Sequence, residues 1–283
     1  MAQGNAPLTR FGNSTDEARY MHGNGHLEEP SLINTNSKFL NNPYFRDAYA
    51  QIALRRNGPD VPSTYIIPMA ARAIGEVTDY ADFQRLIDIE KGRNSEFAEW
   101  LASRRDTSFS REQLAHHDQG TLGHAIHELL GISGIEMDLQ LKGIVPDNDI
   151  DYISKRRGTV HDIEHIVTGF DANACGELAL IWQDIASNAA YFSPDLAHHM
   201  NAGLVFLATA TLQQYSLHYP AVMPTALEAM RQGVAMGQAL KRPLIMEPWE
   251  DILELQIGEI TRRLGIERGP GPAWGWTCAA TSG

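Results

Sequence analysis

Apolar positions recur along most of this chain at intervals of three and four, the period of a helix with one buried face. FRDAYAQIALRR (45–56) sets Ala48, Ile52 and Ala53 near one face, and IPMAARAIGEV (67–77) is a short helical candidate. YADFQRLIDIEKG (80–92) puts Phe83, Leu86, Ile87 and Ile89 on an approximate buried stripe. NSEFAEWLASRR (94–105) follows, with Asn94 as its N-cap and Phe97, Trp100 and Leu101 as its apolar side. The helical pattern continues through 120–134, 149–169, 174–192, 201–217, 224–241 and 249–267. Period-two alternation is confined to YIIPM (65–69) and PLIM (243–246), and no long repeat is evident. The pattern predicts an all-α fold, a single multi-helix, bundle-like domain over 41–267. Residues 1–40, rich in Gly, Asn, Ser and Thr, read as a flexible or irregular N-terminal arm. Residues 268–283 read as a non-helical Gly/Pro/Trp tail, with Trp274 and Trp276 suited to docking on an apolar surface.

Composition narrows the function. Hydrophobic residues make up 43% and charged residues 20%, which excludes a disordered chain or a coiled coil. Asp and Glu outnumber Lys and Arg by 35 to 23, a net charge of −12 with no basic patch, so nucleic acid is not an expected partner. The two cysteines, Cys175 and Cys278, form no disulfide framework and suit a reducing compartment. The first twenty residues lack the apolar stretch of a secretory signal and carry Asp16 and Glu17, against an acidic-poor transit peptide. The longest apolar run, Ala202 to Ala210, is far short of the about 20 residues a membrane span needs. The expected location is cytoplasmic, with peripheral contact on the inner face of a membrane allowed.

The chemistry concentrates in VHDIEHIVTGFDANACGELALIW (160–182). His161 and His165 lie four apart, one turn apart on one helix face, where two imidazoles grip a single metal ion. Glu177 is a candidate third ligand, yet on one continuous helix it would sit about 160° from His161. Gly169 suits a helix C-cap, and Asp171, Asn173 and Gly176 supply turn chemistry. The chain therefore reverses there and starts a second helix, with Glu177 in its first turn opposite the histidines. The expected metal site joins two antiparallel helices. Asp162 and Glu164 flank the histidine face at about 80° on either side, so helix geometry leaves both carboxylates equally placed. Asp162 has the options of ligating, holding a metal-bound water, or orienting a histidine.

His161-Asp162-x-x-His165, followed after eleven residues by Glu177, resembles the signature of the coenzyme Q (ubiquinone) biosynthesis protein four family. The neighbourhood agrees in HDIEHIVTGFD and GELALIW, in the upstream Gly120-Thr121-Leu122-Gly123, and in KRPLIMEPWEDILELQIGEITRRLGI near the C-terminus. The likeness runs in order from about Tyr44 to Glu267 and does not include 1–40 or the tail. It implies an all-helical domain that binds a divalent metal, usually assigned as zinc, through His161, Asp162, His165 and Glu177, favouring Asp162 over Glu164. It implies a lyase in which His161 and Asp162 serve catalysis, removing the ring C1 carboxylate of a polyprenyl hydroxybenzoate, in some accounts with hydroxylation of that carbon. Partners would be polyprenylated aromatic or quinone intermediates, other quinone-biosynthesis enzymes and a membrane surface; a homo-oligomer is allowed. The rival reading is a non-catalytic prenyl-lipid carrier or scaffold for those enzymes.

Other residues carry weaker signals beside this motif. A metal phosphohydrolase of the His-Asp type shares the adjacent His161-Asp162 pair but not Glu177 at this spacing. His116, His117, His124, His127 and Glu128 read as polar helix faces, with a second metal site as the alternative. Cys175 reads as a small buried residue rather than a zinc thiolate, and His198-His199 as surface. Arg156 and Arg157 read as solvated ends that could meet a carboxylate or a lipid headgroup. Glu164 and His124 are candidates for the acid that protonates C1. Residues 179–192 and 202–212 could line a prenyl channel or simply be buried helix.

Overall fold

The computed structural model describes residues 36–56, 66–133 and 145–282. In chain order the helices are α1 (Lys38–Asn41), α2 (Pro43–Leu54), α3 (Ile66–Val77), α4 (Tyr80–Arg93), α5 (Ser95–Ser103), α6 (Arg111–Leu114) and α7 (Leu122–Ser133). There follow α8 (Asp149–Thr168), α9 (Ala174–Tyr191), α10 (Pro194–His218), α11 (Met223–Ala239), α12 (Ile257–Leu264) and α13 (Trp276–Thr281). No strand forms among the described residues, only an isolated bridge between Thr121 and Gln256. The all-α expectation holds.

The helix boundaries follow capping chemistry. Asn94 accepts from the Phe97 amide and opens α5, as its sequence position predicts. Asn148 and Asn173 do the same for α8 and α9, so both helices of the metal motif begin at side-chain caps. Gly169 ends α8 in the left-handed region at φ 70°, as the turn requires.

The main core is built from α4 through α12, with Phe97, Leu122, Ile126, Ile163, Phe170, Leu178 and Trp249 among its members. Phe83, Leu86 and Ile87 enter it, but Ile89 does not; at 48% exposure it falls off the stripe assigned to it. A smaller apolar cluster joins α2 and α3 to α10, through Ala48, Ile52, Ala53, Ala70, Ala73 and Phe206.

Three local expectations change. Residues 249–267 do not form one helix: a 3-10 turn at Trp249–Asp251 gives way to an irregular linker before α12. The linker has another task, since the carbonyls of Leu253 and Leu255 accept from the amides of Gly123 and Leu122 at 2.8 and 2.9 Å. Those are among the first amides of α7, which otherwise lack partners. The strand-like runs are helical too, as Ile66–Met69 lies in α3 and Leu244–Met246 is a 3-10 turn. The C-terminal tail is also partly helical, with a 3-10 turn at Gly271–Trp274 and then α13. Trp274 docks, its ring parallel to Phe170 with centroids 6.3 Å apart, whereas Trp276 stays 45% exposed. In the expected N-terminal arm, residues 1–35 lie outside the described residues, and Ser37 caps the short α1.

Candidate metal centre

The turn 169–173 brings the histidines of α8 and the first turn of α9 together. Gly176 makes this close approach feasible: a Cβ there would stand 1.8 Å from the Asp171 carbonyl oxygen. Glu177 follows immediately. One of its carboxylate oxygens is 3.2 Å from His161 Nε2 and the other is 3.3 Å from His165 Nε2. The two Nε2 atoms are themselves 3.2 Å apart. The pairings His165–Glu177, His161–Glu177 and Arg157–Asp184 run in opposite senses along the two helices, which are therefore antiparallel here.

His165 Nδ1 lies 2.5 Å from the Phe170 carbonyl and can only donate to it. That bond places a proton on Nδ1 and turns Nε2 toward Glu177 and His161. The donor atoms of His161, His165 and Glu177 all fall within 4.8 Å of one another, a set that fits a divalent transition metal such as zinc. The His165 side chain is 7% exposed, but 37% of His161 and 44% of Glu177 face solvent, so the cluster opens outward. The expected ligand Asp162 is half-buried on α8 and is not part of this cluster.

The electrostatics suit a cation. Burial disfavours a charged His161, but the hydrogen bond and charge of Glu177 outweigh it and push the imidazole up to about 9. Glu177 is driven the other way: burial raises it, yet the two imidazoles hold it well below the usual carboxylate range. A proton and a metal ion thus compete for the same His161 nitrogen.

Behind the cluster lies a second polar layer. Glu164, 2% exposed, is pushed well above the usual carboxylate range by burial and then by the charge of Asp184. Asp184 is also raised by burial, with Arg157, 3.0 Å away, working against the shift. Asp184 was missed in the sequence, although it stands seven residues after Glu177 and so two turns along the same face.

The remaining candidates separate. Arg156 and Arg157 are not solvated ends, since both are engaged within the protein. Cys175 is buried with a free thiol and is not in the cluster. His124 stays beside His127 on α7, their rings 6.4 Å apart. His198 is exposed, but His199 is not simple surface: it stacks on Phe83 with centroids 4.9 Å apart and pairs with Asp82.

The fold and cluster together define an all-helical protein with a two-histidine, one-glutamate metal-type cluster between consecutive helices. The model of the coenzyme Q (ubiquinone) biosynthesis protein Coq4 family matches residues 73–270, and the chain belongs to that family. It is 29% identical over 165 residues to a mitochondrial ubiquinone biosynthesis protein of Clavispora lusitaniae, covering 58% of this chain and 47% of the relative. A protein of the same description from Aspergillus fumigatus is 30% identical over 132 residues, covering 44% of this chain and 39% of the relative. The chain thus spans about half the length, or less, of these curated relatives. A crystal structure from Nostoc punctiforme, described as a ubiquinone biosynthesis protein, shares the fold with a TM-score of 0.58 at 22% identity. It covers 78% of this chain and 95% of that one. The curated relatives are named as mitochondrial, which departs from the cytoplasmic expectation; among the described residues no helix is long and apolar enough to cross a membrane.

Proposed function

We propose that this chain is a metal-dependent lyase of ubiquinone biosynthesis that removes the C1 carboxylate from a polyprenyl hydroxybenzoate-type intermediate. The observation that carries the reading is the convergence of His161, His165 and Glu177, with the His165 tautomer fixed by the Phe170 carbonyl. Membership of a ubiquinone-biosynthesis family supports a substrate from that pathway, and the cluster offers a means of handling its charge.

In this reading His161, His165 and Glu177 hold the cation, and Asp162 completes or orients the set from the adjacent position on α8. When bound, the metal supplies positive charge to a substrate oxygen as negative charge spreads into the ring. A proton adds to C1, the bond from C1 to the carboxylate carbon breaks, carbon dioxide leaves, and the electron pair of that bond returns to the ring. His165, locked by Phe170, orients the cluster, while the exposed edges of His161 and Glu177 admit substrate. Hydroxylation at C1 in place of protonation would need dioxygen as co-reactant.

The test is a mass-spectrometric assay of metal-loaded protein with a short-tailed prenyl hydroxybenzoate, beside His161→Ala. Loss of the carboxylate with wild type alone is the expected result. Binding without conversion by wild type would assign the chain to lipid carriage or scaffolding, and neither binding nor conversion would remove the substrate assignment.

A further inference from the structure

A second convergence of metal-type donors lies away from α8 and α9. His116 and His117 occupy the turn between α6 and α7, and Glu254 lies in the linker before α12, far away in sequence. The carbonyls of Leu253 and Leu255 bind the start of α7, so the residue between them is held beside the histidine turn. The His117 ring lies against Gly123, where a Cβ would be 2.3 Å from its Cδ2. That contact fixes the ring, and the His117 side chain is only 4% exposed.

The buried Nδ1 of His117 has no hydrogen-bond partner among the described residues. It faces Glu254 Oε1 at 3.1 Å but outside hydrogen-bond geometry, so neither atom satisfies the other. His116 Nε2 stands 3.8 Å from the same oxygen. All three donor atoms lie within 4.8 Å of one another. Ligands at ordinary zinc bond lengths around a tetrahedral ion are about 3.4 Å apart, between the two measured separations.

Neighbouring carboxylates are committed elsewhere, Glu250 to Arg156 and Asp251 to Arg105, whereas the ion pairs of Glu254 are with these two imidazoles. In front lies a cleft of about 350 Å³, bordered by Phe109, Gln113 and Leu253, which leaves room for water at the remaining coordination positions.

The geometry points to a second metal site, in which His116, His117 and Glu254 bind a divalent transition-metal cation such as zinc. Two imidazoles select such an ion over magnesium or calcium, which take oxygen donors. The ion would clip the turn before α7 to the linker that caps it, and so stabilise the fold by mass action.

The experiment is zinc titration of the full chain by equilibrium dialysis with metal analysis, comparing wild type with Glu254→Gln, His116→Ala and His161→Ala. Glu254 and His116 have side chains 70% and 68% exposed, so their substitution leaves packing intact. Glu254→Gln and His116→Ala each should weaken one zinc equivalent at least tenfold, while His161→Ala retains that equivalent. Cobalt loaded at this site should lose its visible absorption in Glu254→Gln and keep it in His161→Ala. Zinc stoichiometry and affinity unchanged in both Glu254→Gln and His116→Ala would overturn the assignment, whatever the fate of the first cluster.

Discussion

Arg156 and Glu250 form an ion pair that closes the main core behind the histidine helix, with the arginine side chain only 1% exposed. The same guanidinium donates to Thr107 and to the carbonyls of Ile245 and Glu247. It therefore ties α8 to the 3-10 turns at 244–251. Removing the guanidinium leaves Glu250 to Thr107 and the more distant Arg105 and takes a donor from two carbonyls, at a cost of about 3 kcal/mol. Arg156→Met is expected to lose stability on that scale in urea unfolding; a loss comparable to that of an exposed arginine would refute the anchoring role.

Gly176→Ala should disturb the metal cluster without touching a ligand. Its new Cβ must push against the Asp171 carbonyl, displacing the first turn of α9 that carries Glu177. Overpacking of this kind costs about 1–3 kcal/mol. Zinc affinity should fall along with melting temperature. Gly203→Ala is the control, since open space surrounds that helical position, and it should gain up to about 1 kcal/mol from propensity.

Asp149 gives the fold an acid-sensitive joint. Burial alone would raise its carboxyl, but hydrogen bonds and charge from Lys91 and Arg104 prevail and lower it. A lowered folded value means the stabilisation is present above the ordinary aspartate range, about 3.9, and is lost as pH falls through the folded value. Asp149→Asn should unfold with a shallower pH dependence below about pH 4. Parallel acid-unfolding curves for the two proteins would count against this.

The two cysteines should separate chemically. Burial pushes the Cys175 thiol up to about 11, whereas Cys278 is exposed. Iodoacetamide at pH 8 should label Cys278 in the native protein and reach Cys175 only on unfolding, as read by peptide mass spectrometry. Equal labelling rates would show that Cys175 is not shielded.

Much of this architecture was legible because helix signals are local. Asn94, Gly169 and the four-residue spacing of His161 and His165 each act within a turn or two, so sequence alone places them. The hairpin carrying Glu177 was readable for the same reason. Ile89 misled because a three-to-four spacing tolerates several choices of face, and only packing partners select one. The break in 249–267 was hidden because its cause is distant: Leu253 and Leu255 serve amides at 122 and 123. Glu254 gave no signal beside His117 for the same reason, and nothing local in Arg156 foretold a buried role.

The use of residues 245–255 as partners for α7 and α8 has a consequence for biosynthesis. Arg156 and the first amides of α7 emerge from the ribosome long before the carbonyls that satisfy them. Until those late residues arrive, the histidine helix carries a buried-type charge with no counterpart and α7 has an open end. The nascent chain must therefore wait in a partly solvated state, and the core should close only once residues 245–255 have emerged rather than helix by helix.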